Sequence, residues 1–260
     1  MSQQPEVRPV VAADTPSPAA FRAIQVLETI SRRSAPMTIT EIAVAIPLAK
    51  SSVSNLLESL EAAGVVRRAQ GGWTLDYKAL EIGQAVLTST DLVAEFRRLT
   101  GQQRFLARET TLLAVLDGVD VLYVARHDGQ QEIRLASDIG RRLPAVVTAL
   151  GKAMLASLPD VELERRLATI ETMPRPTSRS HRTVDELRRD LAACRARGYA
   201  IDDEQNTPGV TCFSVALSGA RQPTAVSTTL LTQRVTPQHR ERLIADLGTL
   251  STSLGMFARA

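Results

Sequence analysis

Apolar positions in the first part of the chain recur at helical spacing. In SPAAFRAIQVLETIS, residues 17–31, the side predicted to be buried consists of Phe21, Ile24, Leu27 and Ile30. Ser17 is expected to cap this helix, and Pro18 suits its first turn. A shorter helix is predicted in TITEIAVA, because Thr38 and Glu41 form the T-x-x-E pattern of a capping box.

A third predicted helix, in AKSSVSNLLESLEAAG, has one apolar stripe and a bare outer side. The stripe consists of Val53, Leu56, Leu57 and Leu60. The short or basic side chains off the stripe are Lys50, Ser51, Ser52, Ser54, Asn55 and Ser59. The following VVRRAQGGWTL predicts two short strands around Gly71 and Gly72. This order of elements within residues 17–76 indicates a winged helix-turn-helix, whose third helix enters a DNA major groove.

Small hydroxyl and amide side chains on such a helix approach base edges and phosphates closely. The predicted DNA contacts on this helix are Lys50, Ser51, Ser52, Ser54 and Asn55. Asn55 has the geometry for a bidentate bond to adenine. Candidates for phosphate contacts are Arg22, Arg67 and Arg68. The alternative interpretation is that these polar residues are merely tolerated on a solvated surface.

Residues 77–109 are predicted to be a linker helix between two domains. The apolar face of its DLVAEFRRL portion consists of Leu92, Val93, Phe96 and Leu99. Such a face requires a packing partner, and two remain open at this point. The partner is either a second subunit or the domain to which the helix itself belongs.

From residue 110 the pattern becomes mixed. TLLAVLDGVDVLYVARHDG predicts a hairpin around DGVD, and QEIRLAS at 131–137 predicts a further strand. Later strands are predicted in YAIDDE, CFSVAL and TAVSTTLL. Helices are predicted in TALGKAMLASLP, DVELERRLATI, TVDELRRDLAACRARG and TPQHRERLIADLGTLSTSLGMF. Residues 110–260 are therefore expected to form an α+β domain around an antiparallel sheet.

Composition narrows the class of protein. A length of 260 residues suits two domains, and a net charge of +3 permits a nucleic-acid partner without requiring one. The two cysteines suit a reducing compartment, no apolar run could cross a bilayer, and residues 1–16 are typical of a disordered tail. We therefore expect a cytoplasmic protein that does not enter the membrane. The three scattered histidines, without a nucleophile elbow or phosphate loop, predict no catalytic residue, metal or cofactor.

Ordered motifs along nearly the whole chain resemble those of the IclR (isocitrate lyase regulator) family of bacterial transcription factors. The N-terminal motifs are RAIQVLE, TITEIA, AKSSVSNLLESLEAAGVV and KALEIG. The C-terminal motifs are AVLDG, LYVAR, IGRRLPAVVTALGKAMLASL, RARGYAIDDEQNTPGVTC and SVAL. The resemblance implies a winged helix-turn-helix joined by a linker helix to a GAF-like α/β effector domain. It also implies a homodimer or tetramer that binds palindromic double-stranded DNA operators and responds to a small organic acid.

The resemblance further implies a ligand site formed by Ala149, Leu150, Gly151, Asp202, Cys212 and Ser227. Backbone N–H groups at the start of the helix that contains GKA would suit a carboxylate. Asp202 would repel a carboxylate, so it is expected either to accept a hydrogen bond from a ligand hydroxyl or to cap a loop. Cys212 either meets the ligand or fills a strand as a small buried residue.

The expected pocket is more apolar than the family pattern, because Leu150 precedes GKA and Ala145–Val147 follow LP. This composition favours an aromatic or partly apolar acid as the effector. The same departures support an alternative function. In that alternative the chain binds DNA without a ligand, and its C-terminal domain serves oligomerisation only.

Overall fold

The computed structural model describes residues 15–88, 91–129 and 138–258 and divides into two compact units, Met1–Leu87 and Thr88–Ala260. The helices are α1 (Pro18–Ser31), α2 (Ile39–Ala45), α3 (Lys50–Ala62), α4 (Tyr77–Thr88), α5 (Asp91–Gln102), α6 (Ala149–Ser157), α7 (Asp160–Leu167), α8 (Val184–Arg197) and α9 (Pro237–Gly255). The strands are β1 (Val66–Ala69), β2 (Gly72–Leu75), β3 (Thr110–Asp117), β4 (Asp120–His127), β5 (Arg142–Pro144), β6 (Ala200–Asp203), β7 (Val210–Ala216) and β8 (Thr224–Leu231).

The first two helices begin where the sequence predicts. The Ser17 side chain accepts a hydrogen bond from the Ala20 N–H at 3.5 Å, and a proline opens the first turn. At α2, the Thr38 hydroxyl accepts from the Glu41 N–H at 3.2 Å, and the Glu41 carboxylate accepts from the Thr38 N–H at 2.9 Å. This reciprocal pair satisfies two N–H groups that a helix end otherwise leaves without partners, which confirms the capping box.

The core of the first unit confirms the predicted stripe of α3 and corrects that of α1. Val53 and Leu57 are fully buried, and the remaining two leucines of the stripe pack against the same core. On α1 the buried residues are Val26 and Ile30, whereas Ile24 is 55% exposed. Of the four predicted residues, Ile30 is buried and Leu27 packs against the same core, so the prediction was wrong for Ile24. Val26, which the spacing did not select, is buried in its place.

The wing of the first unit is a two-stranded antiparallel ribbon, β1–β2. It is attached to the segment before α2 by two backbone hydrogen bonds between Met37 and Trp73, at 2.8 and 2.9 Å. Gly72 has a φ of +149°, and a Cβ there would lie 2.3 Å from the Met37 carbonyl oxygen. This close approach requires glycine at the start of β2.

The second unit is built on a six-stranded sheet in the order β5-β4-β3-β8-β7-β6, in which every neighbouring pair is antiparallel. The predicted DGVD hairpin is confirmed, because β3 ends at Asp117 and β4 begins at Asp120. The short edge strand β5 was not predicted from the sequence. The architecture of the chain is thus a helix-turn-helix unit followed by a mixed α/β unit, which confirms the α+β class.

Helices cover both faces of this sheet. On one face, α6, α7 and α8 enclose a core that includes Leu112, Tyr123 and Leu155. On the other, α5 and α9 pack against each other, α5 contacts β3 and β4, and α9 contacts β7 and β8.

The segment predicted to be a linker helix, 77–109, contains α4, α5 and a short 3-10 turn at Leu106–Arg108. The apolar face of α5 is buried within its own unit, since Leu92, Val93 and Phe96 are at most 9% exposed. Of the two partners considered for this face, the structure therefore shows the helix's own domain. Residues 89–90, the first fourteen residues of the predicted tail and the predicted strand at 131–137 lie outside the described residues.

Candidate functional site

The outer side of α3 is the first candidate surface. Its exposed side chains include Lys50, Ser51 and Asn55. Ser52 and Ser54 are half-buried, and the Ser54 hydroxyl donates to the Glu58 carboxylate at 3.2 Å. Ala49 precedes α3 and supplies no side-chain cap. The backbone N–H groups in the first turn of α3 can therefore donate to an anion. The N-terminal half of α3 thus presents donors, while carboxylates appear only toward its C-terminal end.

The two wing arginines lie at successive positions of β1 and therefore point to opposite sides of the ribbon. The Arg67 Nε lies 3.8 Å from Asp76, and the Arg68 Nε lies 3.6 Å from Glu61. The Arg68 guanidinium also lies 4.9 Å from the ring centre of Trp73. Such exposed ion pairs contribute about 0–1 kcal/mol each, so either arginine can exchange its partner for a phosphate at little cost. Arg22, the remaining predicted contact, is half-buried on α1.

The second candidate site is a cavity of about 490 Å³ in the C-terminal unit. It is lined by Leu112, Tyr123, Arg141, Leu143, Pro144, Val147, Pro174, Arg175, Pro176, Asp202, Asn206, Thr207, Val210, Cys212 and Thr229. Two of the predicted effector residues, Asp202 and Cys212, are in this lining. The other predicted residues are buried in the domain without lining the cavity, namely Ala149, Leu150, Gly151 and Ser227.

The start of α6 is closed by its own cap and by a close backbone contact. The Thr148 hydroxyl accepts from the Gly151 N–H at 3.0 Å. A Cβ at Gly151 would lie 2.2 Å from the Cα of Ala145, so the helix rests directly on the preceding 3-10 turn. A ligand role for the three residues 149–151 stays a prediction, because this end of the helix packs against protein.

Three side chains from adjacent strands form the floor of the cavity. Asp202 on β6 stands opposite Cys212 on β7, which stands opposite Thr229 on β8. One oxygen of Asp202 accepts from the backbone N–H groups of Gln205 at 2.7 Å and Asn206 at 3.2 Å. The Cys212 Sγ lies 3.4 Å from the Thr229 hydroxyl. Asp202 therefore caps the following turn and lines the cavity, so both roles considered for it are compatible.

Burial controls the protonation of the floor. It raises the pKa of Asp202 from 3.8 to about 6, although the two backbone N–H groups oppose this rise. Burial also raises the pKa of the Cys212 thiol and of the Tyr123 phenol, and proximity to Asp202 raises both further. The thiol and phenol are therefore neutral at physiological pH and can share hydrogen bonds with a ligand hydroxyl. An ionised Asp202 would repel a ligand carboxylate.

Behind the floor lies a buried ionic cluster that the sequence analysis did not identify. Lys152 on α6 is 0% exposed, and its Nζ lies 2.6 Å from the Asp190 carboxylate. The same ammonium donates to the Ile201 carbonyl and to the Gln205 side chain. His181 lies 3.1 Å from Asp190. Burial would raise the pKa of Asp190, but the hydrogen bond from His181 and the charge of Lys152 outweigh it and lower that pKa well below its usual range.

The sequence analysis did not identify Lys152 or three residues that line the cavity, and the local sequence signals for them differ in strength. A lysine inside the apolar run LGKAMLA is a visible signal, because a buried lysine requires an acidic partner. Tyr123, Arg141 and Arg175 carry no such local signal. They come from β4, the segment before β5 and the loop after α7, and only the fold brings them together.

The raised pKa of Asp202 predicts a pH-dependent stability. A neutral Asp202 favours the folded state, so this contribution is fully present below about pH 4 and is lost as the pH rises through about 6. Asp202→Asn keeps an oxygen for the two N–H donors and cannot ionise. We expect the variant to be more stable than the wild type above about pH 7, by up to about 3 kcal/mol, and equal to it near pH 4.

Urea unfolding across this pH range measures the effect. The matched control is Asp203→Asn, since Asp203 is half-exposed and pairs with Arg179. The control should show no gain at high pH. A wild-type advantage at every pH would contradict the assignment of a buried, destabilised carboxylate.

The described residues contain neither a group of metal ligands nor a helix suited to crossing a membrane. Among residues 15–88, 91–129 and 138–258, no three His, Cys, Asp or Glu side chains are grouped as metal ligands. In the same described ranges, no helix combines the length and the apolar character that a membrane crossing requires.

Comparison with known proteins assigns the chain. Residues 19–70 match the family model of the IclR helix-turn-helix domain, and residues 84–255 match that of the bacterial transcriptional regulator IclR C-terminal domain. The chain is 33% identical over 250 residues to the HTH-type transcriptional regulator XynR of Escherichia coli K12, covering 90% of this chain and 96% of XynR.

Two solved structures show the same fold. An IclR transcriptional regulator from Alicyclobacillus acidocaldarius superposes with a TM-score of 0.82 at 22% identity, covering 94% of this chain and 100% of that one. An IclR homologue from Microbacterium hydrocarbonoxydans, solved in complex with 4-hydroxybenzoate, superposes with a TM-score of 0.75 at 22% identity, covering 91% and 98%. With both of its domains matched in order, the chain belongs to the IclR family of DNA-binding bacterial transcriptional regulators.

Proposed function

We propose that this regulator is effector-responsive: α3 recognises an operator sequence, and a small organic acid binds in the cavity above Asp202. The observation that carries the proposal is the cavity itself, which combines apolar walls with a buried carboxyl group and neutral donors on its floor. Such a combination is typical of small-molecule sites. A domain that served assembly alone would not require a buried carboxyl group at the floor of a cavity.

DNA recognition in this proposal uses the N-terminal half of α3. Lys50 and the uncapped first turn contact phosphates, while Asn55 reads a base edge. Two copies of the chain, as a homodimer or within a tetramer, place two such helices in successive major grooves of a palindromic operator. Arg67 and Arg68 on the wing add phosphate contacts, and Arg22 adds one from α1.

The effector in this proposal is an acid with an apolar or aromatic body. Leu112, Leu143, Val147 and Val210 give the cavity an aliphatic part, and a homologue of the same fold was solved with 4-hydroxybenzoate. Binding of the acid and binding of DNA modulate each other, and by linkage the two couplings are equal in size. The proposal thus predicts that an operator fragment changes the affinity for the acid by the same factor as the acid changes operator affinity.

The experiment is fluorescence anisotropy of the full-length protein on its own upstream DNA, with scrambled DNA as competitor, over a series of salt and acid concentrations. Sequence-preferring binding that weakens with salt and shifts with one acid supports the proposal. Operator affinity that is identical at zero and saturating acid would show that the chain is a ligand-independent regulator. Binding without any sequence preference would contradict the role of α3 in operator recognition.

Asn55→Ala provides the residue-level test. Loss of a bidentate contact to adenine should weaken specific binding by about 1–3 kcal/mol and leave non-specific binding unchanged. Ser59→Ala is the matched control, because Ser59 lies one turn further along the same exposed side and its hydroxyl bonds only the Asn55 carbonyl among the described residues. An equal loss in both variants would indicate a general effect on α3 rather than base recognition by Asn55.

A further inference from the structure

An arginine at the mouth of the cavity lies on a conformationally restricted segment of the backbone. Arg175 lies between Pro174 and Pro176, and all three line the cavity. Each proline fixes its own φ, and the second restricts the residue before it to extended conformations. Arg175 is exposed, and among the described residues it has no hydrogen-bond or ion-pair partner. The backbone at Arg175 is thus restricted, and the donors of its guanidinium remain available to a ligand.

The loop that carries Arg175 is tied to the turn that Asp202 caps. The Thr177 hydroxyl donates to the Glu204 carbonyl at 2.7 Å, and the Ser180 hydroxyl donates to the Gln205 carbonyl at 2.6 Å. Glu204 itself has a φ of +59°, a conformation that a side chain disfavours. Backbone strain of this kind persists only where the surroundings impose it, and it concentrates at binding sites. The mouth and the floor of the cavity are therefore positioned by one connected set of hydrogen bonds.

The charges of the cavity are separated along its depth. The guanidinium groups of Arg141 and Arg175 are on exposed residues at the mouth, whereas Asp202 at the floor is 2% exposed. A ligand carboxylate is attracted to the mouth and repelled from an ionised floor. A ligand hydroxyl finds its partners at the floor, in Asp202, Cys212 and Thr229. The aliphatic lining residues Leu112, Leu143, Val147 and Val210 provide apolar contacts for the body of the ligand.

We propose that Arg175 is the specificity-determining residue of the effector site, which binds a hydroxy acid with its carboxylate at the mouth and its hydroxyl at the floor. This inference rests on the proposed effector role of the cavity and adds the orientation and chemical class of the ligand. The carboxylate faces Arg175 instead of the start of α6, because residues 149–151 do not line the cavity.

The test compares an acid with its uncharged amide on the full-length protein. Binding of 4-hydroxybenzoate and of 4-hydroxybenzamide is measured by calorimetry for the wild type, Arg175→Met, Arg175→Lys and Arg182→Met. Arg182 is an exposed arginine outside the cavity lining, so its variant removes the same charge without touching the site. We expect Arg175→Met to lose about tenfold in affinity for the acid, as for a charge-assisted hydrogen bond at a solvated site, with little change for the amide.

Arg175→Lys should retain part of the preference for the acid, and Arg182→Met should behave like the wild type. An acid-to-amide ratio that is the same in Arg175→Met and in the wild type would overturn the role of Arg175. Failure of the wild type to bind either probe would overturn the proposed ligand class. Binding that depends on Arg175 but leaves operator affinity unchanged would contradict the proposed effector function. The same result would still support this binding site.

Discussion

Lys152→Met is expected to destabilise the C-terminal unit by about 3 kcal/mol, near the lower end of the range for breaking a buried ion pair. Lys152 is fully buried and donates to three acceptors, of which the Asp190 carboxylate is 2.6 Å away. Methionine fills a similar volume but removes the ammonium donor that these three acceptors share. The loss stays near the lower end because His181 and Arg197 still contact Asp190.

Urea unfolding at neutral pH measures this loss, and Lys78→Met is the matched control. Lys78 is an exposed lysine on α4 that pairs with Glu81, so its replacement should cost less than about 0.5 kcal/mol. The lowered pKa of Asp190 adds a pH signature. Stability from this carboxylate is present above about pH 4 and is lost as the pH falls. The difference between wild type and Lys152→Met should therefore narrow in acid, and a difference that is absent at neutral pH would contradict the structural role of the pair.

Gly151→Ala is expected to cost about 3 kcal/mol, at the upper end of the range for overpacking a core. The added methyl group would lie 2.2 Å from both the Cα and the carbonyl oxygen of Ala145. These are backbone atoms, so α6 must move away from the turn at Ala145–Val147 to make room. Val147 lines the cavity, and the same movement should weaken binding of any ligand there.

Gly248→Ala is the control for this substitution. Gly248 lies inside α9, and a Cβ there would have no neighbour within 4 Å. Alanine should therefore stabilise the protein by about 0.5–1 kcal/mol, the intrinsic preference for alanine over glycine in a helix. Thermal unfolding of the two variants should move the Tm in opposite directions. An increase in Tm for both variants would contradict the close contact between α6 and the preceding turn.

The sequence by itself determined the features that depend on neighbours along the chain. The caps at Ser17 and Thr38 lie where the sequence predicts them, and so does the DGVD hairpin. Each depends on hydrogen bonds or apolar contacts between residues a few positions apart. The order of motifs was also sufficient to identify the family, since both family domains are matched over most of the chain.

The tertiary structure decided which side chains meet. The side of α1 that is buried depends on where α3 packs, so spacing alone placed Ile24 inside when it is exposed. The sequence left two packing partners open for the apolar face of α5. In the structure α5 packs against α9 and against the sheet of its own unit. In each case a local pattern shows that a face is apolar but does not show what covers it.

The cavity is the clearest case of a feature that only the fold creates. Arg175 and Asp202 are separated along the chain by α8, and Tyr123 belongs to a strand four places from β6 in the sheet. Their convergence depends on the strand order β5-β4-β3-β8-β7-β6, which arises from pairings between distant segments. The residue types of a site can be recognised locally, whereas its geometry follows from these long-range pairings and from the burial that they impose.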